Sequence, residues 1–500
     1  MFEFLGEITD RMRFKKIIEN GAKTAISNKQ VLEKEIQKWL KSDSRKLMLQ
    51  GDAYYIGEQD ILKRKREIIG EGGQLVEVEN LPNNRIVDNQ YAKLVDQKVN
   101  YLLAKPLTFE TKDETYLELL QDIFNSKFHR TFRNLGEDSL NCGIAWLYVY
   151  YDEKGRLSFK RIPPYQILPF WKDAEHTELE FAVRLYPVTA YEGDREVVIQ
   201  KVEVYKTEGI ERFIWANTRL IEDVESSSTT YLTVTDEEGK ELGLNWECVP
   251  LIPFKYNNKE LPLLKRVKSL QDGINVMLSD FKNNMQEDAR STILVLHNYD
   301  GQNLGEFRRN LAELGVVKVR SADGSKGGVE TLHIEVNKDN YESILSLFKK
   351  ALIENGRGYD AKDERMSNNP NQMNIQSMYS DIDLDANGIE TEYQASLEDL
   401  LWFVNIHFAN SHKGDFEDEK VNIIFNRDIL INETESIDNA VKSLPILSEE
   451  SIVAQHPWTK NVKLELERKE KEKQKEQQEL DDYRSNFPNQ LIGGKANGQE

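Results

Sequence analysis

From about residue 372 to 410 the chain offers nearly forty consecutive helix-compatible residues, with Ile375, Met378, Ile382, Tyr393, Leu397, Leu400 and Val404 marking its apolar side. At 1.5 Å per residue such a helix would be ~60 Å long, longer than a typical globular helix. Asn387-Gly388 is where it is expected to kink. The length of 500 residues agrees with an assembly of several folding units, roughly three at ~150 residues each.

Charge narrows the function. There are 66 Lys and Arg against 86 Asp and Glu, a formal net charge of −20 with histidine neutral. A sequence-independent DNA clamp covered in basic charge is excluded, because phosphate neutralisation needs cations in excess at the contact surface. Hydrophobic content of 39% supports globular folding, while 30% charged residues imply extensive solvated surface or an elongated shape. Cys142 and Cys248 are the only cysteines, too few for a disulfide framework or a cysteine-based zinc site, which fits a reducing compartment. The N-terminus places acids where a signal peptide needs basic residues, and no apolar run approaches the ~18 residues of a membrane span. A soluble protein that is not secreted by this route is expected.

Along the chain, residues 1–49 read as an N-terminal helical segment that packs on a larger body through Leu32, Ile36 and Trp39. Residues 50–263 alternate between helix and strand. Helical periodicity appears at 61–69 and 92–103, the latter ended by Lys105-Pro106. Strands rich in aromatic and β-branched residues appear at 146–151, 181–186, 196–205 and 213–215. The pattern predicts an α+β domain with a mainly antiparallel sheet.

A more regular region follows. Leu270, Ile274, Met277, Phe281 and Met285 recur at spacings of three and four, which predicts an amphipathic helix over 265–287. Tyr341, Ile344, Leu345, Phe348 and Leu352 predict a second. Between them lies a β-α-β-β module: a strand at 292–296, a short helix at 304–314, and a hairpin of 316–320 with 329–336. Gly356-Arg357-Gly358 ends the second helix, and 360–371 is a polar loop. After the long helix, 421–425 reads as a late strand rejoining the earlier sheet. Asn432 to Glu435 resembles a capping box, and the remainder is helical, with breaks near 444 and at His456-Pro457. The tail, 484–500, is expected to be disordered.

No catalytic or metal constellation emerges. His407 and His412 are the nearest histidine pair and read as ordinary helix-end residues; Gly493-Gly494-Lys495 lacks the Ser or Thr and the preceding strand of a phosphate loop. Cys142 and Cys248 read as buried structural thiols. Asp381, Asp383, Asp385 and Glu392 fit positions 1, 3, 5 and 12 of a calcium loop, but Ala386 stands where the turn needs glycine, so a solvated helix face is expected. Asp415, Glu417, Asp418, Glu419 and Lys420 could be read as a nuclease set, yet adjacent charges at a turn need no such role. Lys63 to Arg66, flanked by Glu58, Asp60 and Glu67, reads as a solvated or intersubunit salt-bridged helix face.

Four local motifs occur in order on this architecture: Val95-Asp96-Gln97-Lys98 with the run from Tyr101 to Phe109, the run from Val249 to Phe254, Asn298-Tyr299-Asp300-Gly301, and Lys413-Gly414-Asp415-Phe416. With them the chain resembles the portal proteins of tailed bacteriophages, in particular those of long-tailed phages of Gram-positive hosts. The resemblance implies a multidomain portal fold with an α+β wing at 50–263, completed by 413–431, and stem helices at 264–289 and 337–357. It further implies an α/β clip at 290–336, a tunnel loop at 358–371, a long kinked helix at 372–412 and a helical crown at 432–483.

The function implied is a ring of about twelve subunits at one capsid vertex, a non-enzymatic conduit for DNA packaging and ejection. Its partners would be double-stranded DNA in transit, the large terminase subunit, scaffolding protein, major capsid protein and a head-completion adaptor. No cofactor, metal or membrane is implied. Localisation would be the virion, with the host cytoplasm during assembly. Lys362, Arg365, Asn368, Asn369 and Asn371 would lie in the DNA channel, and Lys318, Arg320 and Lys326 would form the clip contact with terminase and adaptor. The tunnel loop departs from the family in lacking a glycine-rich centre. The competing reading is a phage nucleic-acid-processing enzyme that uses the carboxylate-rich turns.

Overall fold

The computed structural model describes residues 29–69, 73–78, 81–223, 228–235, 241–288, 293–297, 328–332, 338–360, 372–427, 433–459 and 462–486. They fall into two compact bodies, one drawn from Met1–Tyr359 and Asp381–Asp428, the other from Asp360–Ser380 and Ile429–Glu500.

The first body begins with α1 (Lys29–Leu40) and α2 (Asp43–Tyr55). The Ser42 side chain caps α2 by accepting from the Arg45 amide at 3.2 Å. Leu32, Ile36 and Trp39 recur on one face of α1 and are all buried, as their periodicity predicts; Leu32 and Ile36 each contribute roughly 1.5–3 kcal/mol by leaving water. The helix expected at 61–69 does not form. A 3-10 turn at Asp60–Lys63 leads into β1 (Glu67–Ile69), which pairs antiparallel with β2 (Leu75–Glu77). A strand partner so close in sequence outweighs the weak helical periodicity of a nine-residue stretch.

Helix α3 (Gln90–Leu103), capped by Asn89, precedes β3 (Thr108–Glu110), α4 (Glu114–Ile123) and α5 (Ser126–Cys142). Gly143 stops α5 with a left-handed φ of 88°, and a Cβ there would lie 2.1 Å from the Glu260 carbonyl oxygen. Strands β4 (Ile144–Tyr151) and β5 (Leu157–Ile162) follow. Then come β6 (Ile167–Trp171) and the long hairpin of β7 (Leu179–Glu192) and β8 (Arg195–Lys206), turned at Gly193. After them run β9 (Gly209–Ala216), β10 (Arg219–Glu222), β11 (Ser228–Thr229), the ribbon of β12 (Leu232–Thr235) and β13 (Glu241–Leu244), and β14 (Leu251–Lys255).

Two antiparallel sheets dominate: a three-stranded one in the order β14-β4-β5, and a six-stranded one in the order β10-β9-β8-β7-β6 with β11 paired to β9. Met48, Cys142, Trp146, Ile162, Ile167 and Ala182 form a core that draws on both sheets and on α2 and α5. A second core joins α1 to the large sheet through Phe181, Val183, Val202, Val204 and Leu220. The α+β reading with mainly antiparallel strands therefore holds.

Helix α6 (Leu264–Asp288) leads to β15 (Ile293–His297), which pairs antiparallel with β16 (Gly328–Leu332), and α7 (Lys338–Asn355) returns. The expected helix at 304–314 and strand at 316–320 lie outside the described residues. Helix α8 (Gln372–Asn410) is 39 residues long and continues through Asn387-Gly388 without interruption. Within the first body, Tyr393 of α8 packs edge-on to Phe254 of β14 with ring centroids 5.1 Å apart, and Phe254 meets Phe132 of α5 at 5.7 Å. The late strand, β17 (Asn422–Ile424), pairs with β3 rather than with a large sheet. Both strands have three residues, and a pair that short leaves no hydrophobic alternation to mark its partner.

In the second body, α9 (Glu433–Ser443), α10 (Glu449–Gln455) and α11 (Val462–Asn486) match the helical segments and breaks expected from sequence. Ser448 caps α10, and Glu449 is paired by Lys469 and Lys473 of α11. Asn432 and the tail beyond 486 lie outside the described residues.

Candidate functional site

The most buried line of α6 is polar. Gln271, Asn275 and Ser279 have no exposed surface and Asn283 has 1%. Spaced four apart, they stack along one face of the helix, and against them runs the segment 84–91, irregular up to Asn89 and then the first turn of α3. Its backbone amides donate in turn to the helix side chains: Asn84 to Asn283 Oδ1 at 2.7 Å, Ile86 to Ser279 Oγ at 2.9 Å, Asp88 to Asn275 Oδ1 at 2.9 Å and Tyr91 to Gln271 Oε1 at 2.9 Å.

The match is geometric. Four helical residues rise about 6.0 Å, and two extended residues advance about 6.6 Å, so the alternate amides of Asn84, Ile86 and Asp88 meet successive rungs of the helix, and the Tyr91 amide in the first turn of α3 meets the fourth. Buried backbone amides must be satisfied. Here helix side chains do what a neighbouring strand does in a sheet.

Further bonds reinforce this ladder. Gln271 Nε2 donates to the Asp88 carbonyl at 2.8 Å, and the fully buried Gln59 donates to Asn89 Oδ1 at 2.9 Å while accepting from Asn275. Charged contacts flank it. Lys268 Nζ lies 2.7 Å from both Asp60 and Asp272, the Tyr54 hydroxyl donates to Asp272 at 2.6 Å, and Arg64 pairs with Asp280 at 2.8 Å. The apolar line predicted for α6 faces α7 only in part. Phe281 meets Tyr341 at 4.8 Å, and Gly273 leaves room for the Phe348 ring edge, whereas Met285 is 58% exposed.

The second feature is the turn that ends α7. Arg357 has a φ of 52°, and a Cβ on Gly356 or Gly358 would approach Leu94 methyl carbons to 2.2 or 2.4 Å, so the turn sits directly on α3. Gln97 Nε2 donates to the Tyr359 carbonyl at 3.0 Å. Lys98 Nζ donates to the Arg357 carbonyl at 3.0 Å and pairs with Asp385 of α8 at 2.7 Å. One lysine thereby ties together the two sides of the stretch that contains 361–371.

Asp385 is the centre of this cluster. Arg266 lies 3.0 Å and Arg357 3.5 Å from its Oδ1, and the Tyr256 hydroxyl donates to Oδ2 at 2.8 Å. Burial pushes the Asp385 carboxyl up, but Lys98, Tyr256 and Arg266 outweigh burial and hold it below the ordinary carboxylate value. Burial pushes the Lys98 ammonium down to about 8 despite Asp385. Next to it, Arg427 pairs with Asp383 and with Glu390, the latter at 2.7 Å, and the Tyr101 hydroxyl donates to Asp383 at 2.9 Å.

This arrangement corrects the reading of the aspartates on α8. Asp385 is 5% exposed and ion-paired, not on a solvated face, and Asp383 bonds to Arg427 and Tyr101. Cys142 is buried as expected, but Cys248 is exposed, because it lies in the irregular stretch before β14. His407 is buried with Nδ1 2.9 Å from the Tyr151 hydroxyl. The basic run at 63–66 sits on the end of the 3-10 turn and the irregular stretch before β1 rather than on a helix, with Arg64 on Asp280 and Lys65 on Glu77 at 2.7 Å. Asp415, Glu417, Asp418 and Glu419 are exposed at a surface turn. No group of residues suited to a metal ion occurs among the described residues. Lys362, Arg365, Asn368, Asn369 and Asn371, with Lys318, Arg320 and Lys326, lie outside the described residues.

The sequence family described as phage portal protein, SPP1 Gp6-like, matches residues 38–479. The chain is 29% identical over 443 residues to the portal protein of Bacillus phage SPP1, covering 86% of this chain and 84% of that one. It is also 26% identical over 434 residues to the portal protein of Clostridium phage phiCD119, covering 84% and 91% respectively.

Proposed function

Because the chain belongs to the SPP1 Gp6-like family of phage portal proteins, structural components rather than enzymes, we propose that it works as a closed ring of about twelve copies at one capsid vertex. DNA passes through that ring during packaging and ejection. The observation that carries this reading is the family match over residues 38–479, which spans both bodies. The wing is assigned to 50–263 with 413–431, the stem to 264–289 and 337–357, the clip to 290–336 and the crown to 432–483. The clip meets the large terminase subunit and later the head-completion adaptor, while scaffolding and major capsid proteins contact the outer surface.

The geometry supports this division of labour. The proposed stem helix α6 is fixed to the wing by the rungs on 84–91, and the proposed tunnel loop springs from a turn clamped on α3. A ring needs such rigid roots, because each subunit must present the same two dissimilar faces to its neighbours. Solution mass tests the reading: with a chain of 58.1 kDa, about twelve copies give ~0.7 MDa. A monomer or dimer under all assembly conditions overturns it.

A further inference from the structure

Many basic side chains of the first body are answered by a carboxylate, Arg64, Lys98, Arg133, Arg161, Arg184 and Lys268 among them. Three that have no such partner share one concavity. Lys127 and Arg130 from the first turns of α5 and Lys413 from the loop after α8 line a hollow of about 630 Å³, and none of the three is ion-paired among the described residues. The Lys413 ammonium rests 6.0 Å from the Phe408 ring centroid. Arg156 also lines the hollow but is neutralised by Asp152, with contacts of 3.0 and 2.8 Å. Asp122 is the remaining carboxylate, so three cations stand against one in a chain whose net charge is −20.

We propose that this hollow binds the phosphodiester backbone of nucleic acid through Lys127, Arg130 and Lys413. Three features favour phosphate over a protein partner. The hydroxyls of Thr131, Ser158 and Ser411 join the cations in the lining, the mixture of groups that contacts phosphate oxygens. The α5 N-terminus, whose dipole favours an anion, opens beside it. Phe128 is buried, and Tyr150 and Phe159 are partly so, so the exposed aromatic anchor around which protein interfaces are built is missing from the lining. With about three phosphates engaged, one copy binds weakly, and repetition around a ring multiplies the effect. The inference extends the portal reading and rests on it only for that multiplication.

The test uses the full chain and a labelled 30-base-pair duplex, with binding followed between 50 and 200 mM salt and solution mass measured in parallel. Wild type binds with log affinity falling linearly against log salt. K127Q/R130Q/K413Q, which retains side-chain bulk, reduces the steepness of that line by about 2–3 and weakens binding at least about tenfold at the lowest salt. An unchanged slope and affinity overturn the proposal. So does a poly-glutamate peptide that competes as well as DNA of equal charge, since the site then takes acidic protein. If the chain fails to form rings yet shows the variant-dependent DNA binding, the portal reading falls and the phosphate site stands.

Discussion

Asp385 neutralises three cations from inside the protein, and this asymmetry decides which substitution hurts. Removing the carboxylate leaves Lys98 buried without a counter-charge beside two guanidinium groups, and breaking a buried pair in that way costs about 3–5 kcal/mol. Removing Lys98 leaves Asp385 with Arg266, Arg357 and the Tyr256 hydroxyl. Burial already disfavours the Lys98 charge, so K98M is expected to cost less than about 1 kcal/mol at pH 7 and D385N about 3 or more; urea unfolding of both variants checks the ranking.

The pH dependence follows from the same residues. The Asp385 carboxyl is held low in the fold, so its stabilisation is complete above the ordinary carboxylate value and disappears as pH falls through the lowered one. D385N should therefore lose less stability than wild type on acidification. Lys98 runs the other way. Its ammonium is depressed to about 8, so the cost of burying it is present below that pH and is relieved as pH rises toward the ordinary lysine value. K98M should fare worse against wild type at pH 9.5 than at pH 7.

At the scale of elements, the ladder on α6 makes the clearest demand. Ser279→Ala leaves the Ile86 amide buried without an acceptor, for which about 1–3 kcal/mol is expected. Hydrogen exchange at Ile86 should accelerate, while the amides of β7 and β8 remain protected; equal protection at Ile86 would show that the Ser279 rung is dispensable. Sequence periodicity reveals α6 because Leu270, Ile274, Met277 and Phe281 obey the helical repeat. It hides what the helix is anchored by, although Gln271, Asn275, Ser279 and Asn283 stand at a regular spacing of four that is readable once polar residues are tested for period as apolar ones are. The Asp385 cluster was not readable in this way. Lys98 and Arg266 lie 287 and 119 residues away from it, so only the fold brings the charges together. Strand β17 was legible as a strand, but at three residues it is too short to carry the alternation that would name β3 as its partner.

At the scale of the molecule, the order of elements was legible because long helices and long hairpins repeat their signals many times. The residues proposed for channel and clip would act between subunits and on DNA, so no periodicity within one chain marks them. Alanine at Lys362 and Arg365 should impair DNA packaging while rings of the same mass still form, and unchanged packaging removes those side chains from the mechanism. If the rings form, whatever grips the β15–β16 module pulls on the rest of the chain partly through α6. The four amide rungs lie side by side along that helix, so a pull along its axis loads them in parallel as a shear joint, whereas a sideways pull would peel them one at a time. Twisting the helix about its own axis breaks all four together. The ladder thereby makes α6 stiff to tension and torque and weakest to peeling, a mechanical anisotropy that comes from four polar side chains.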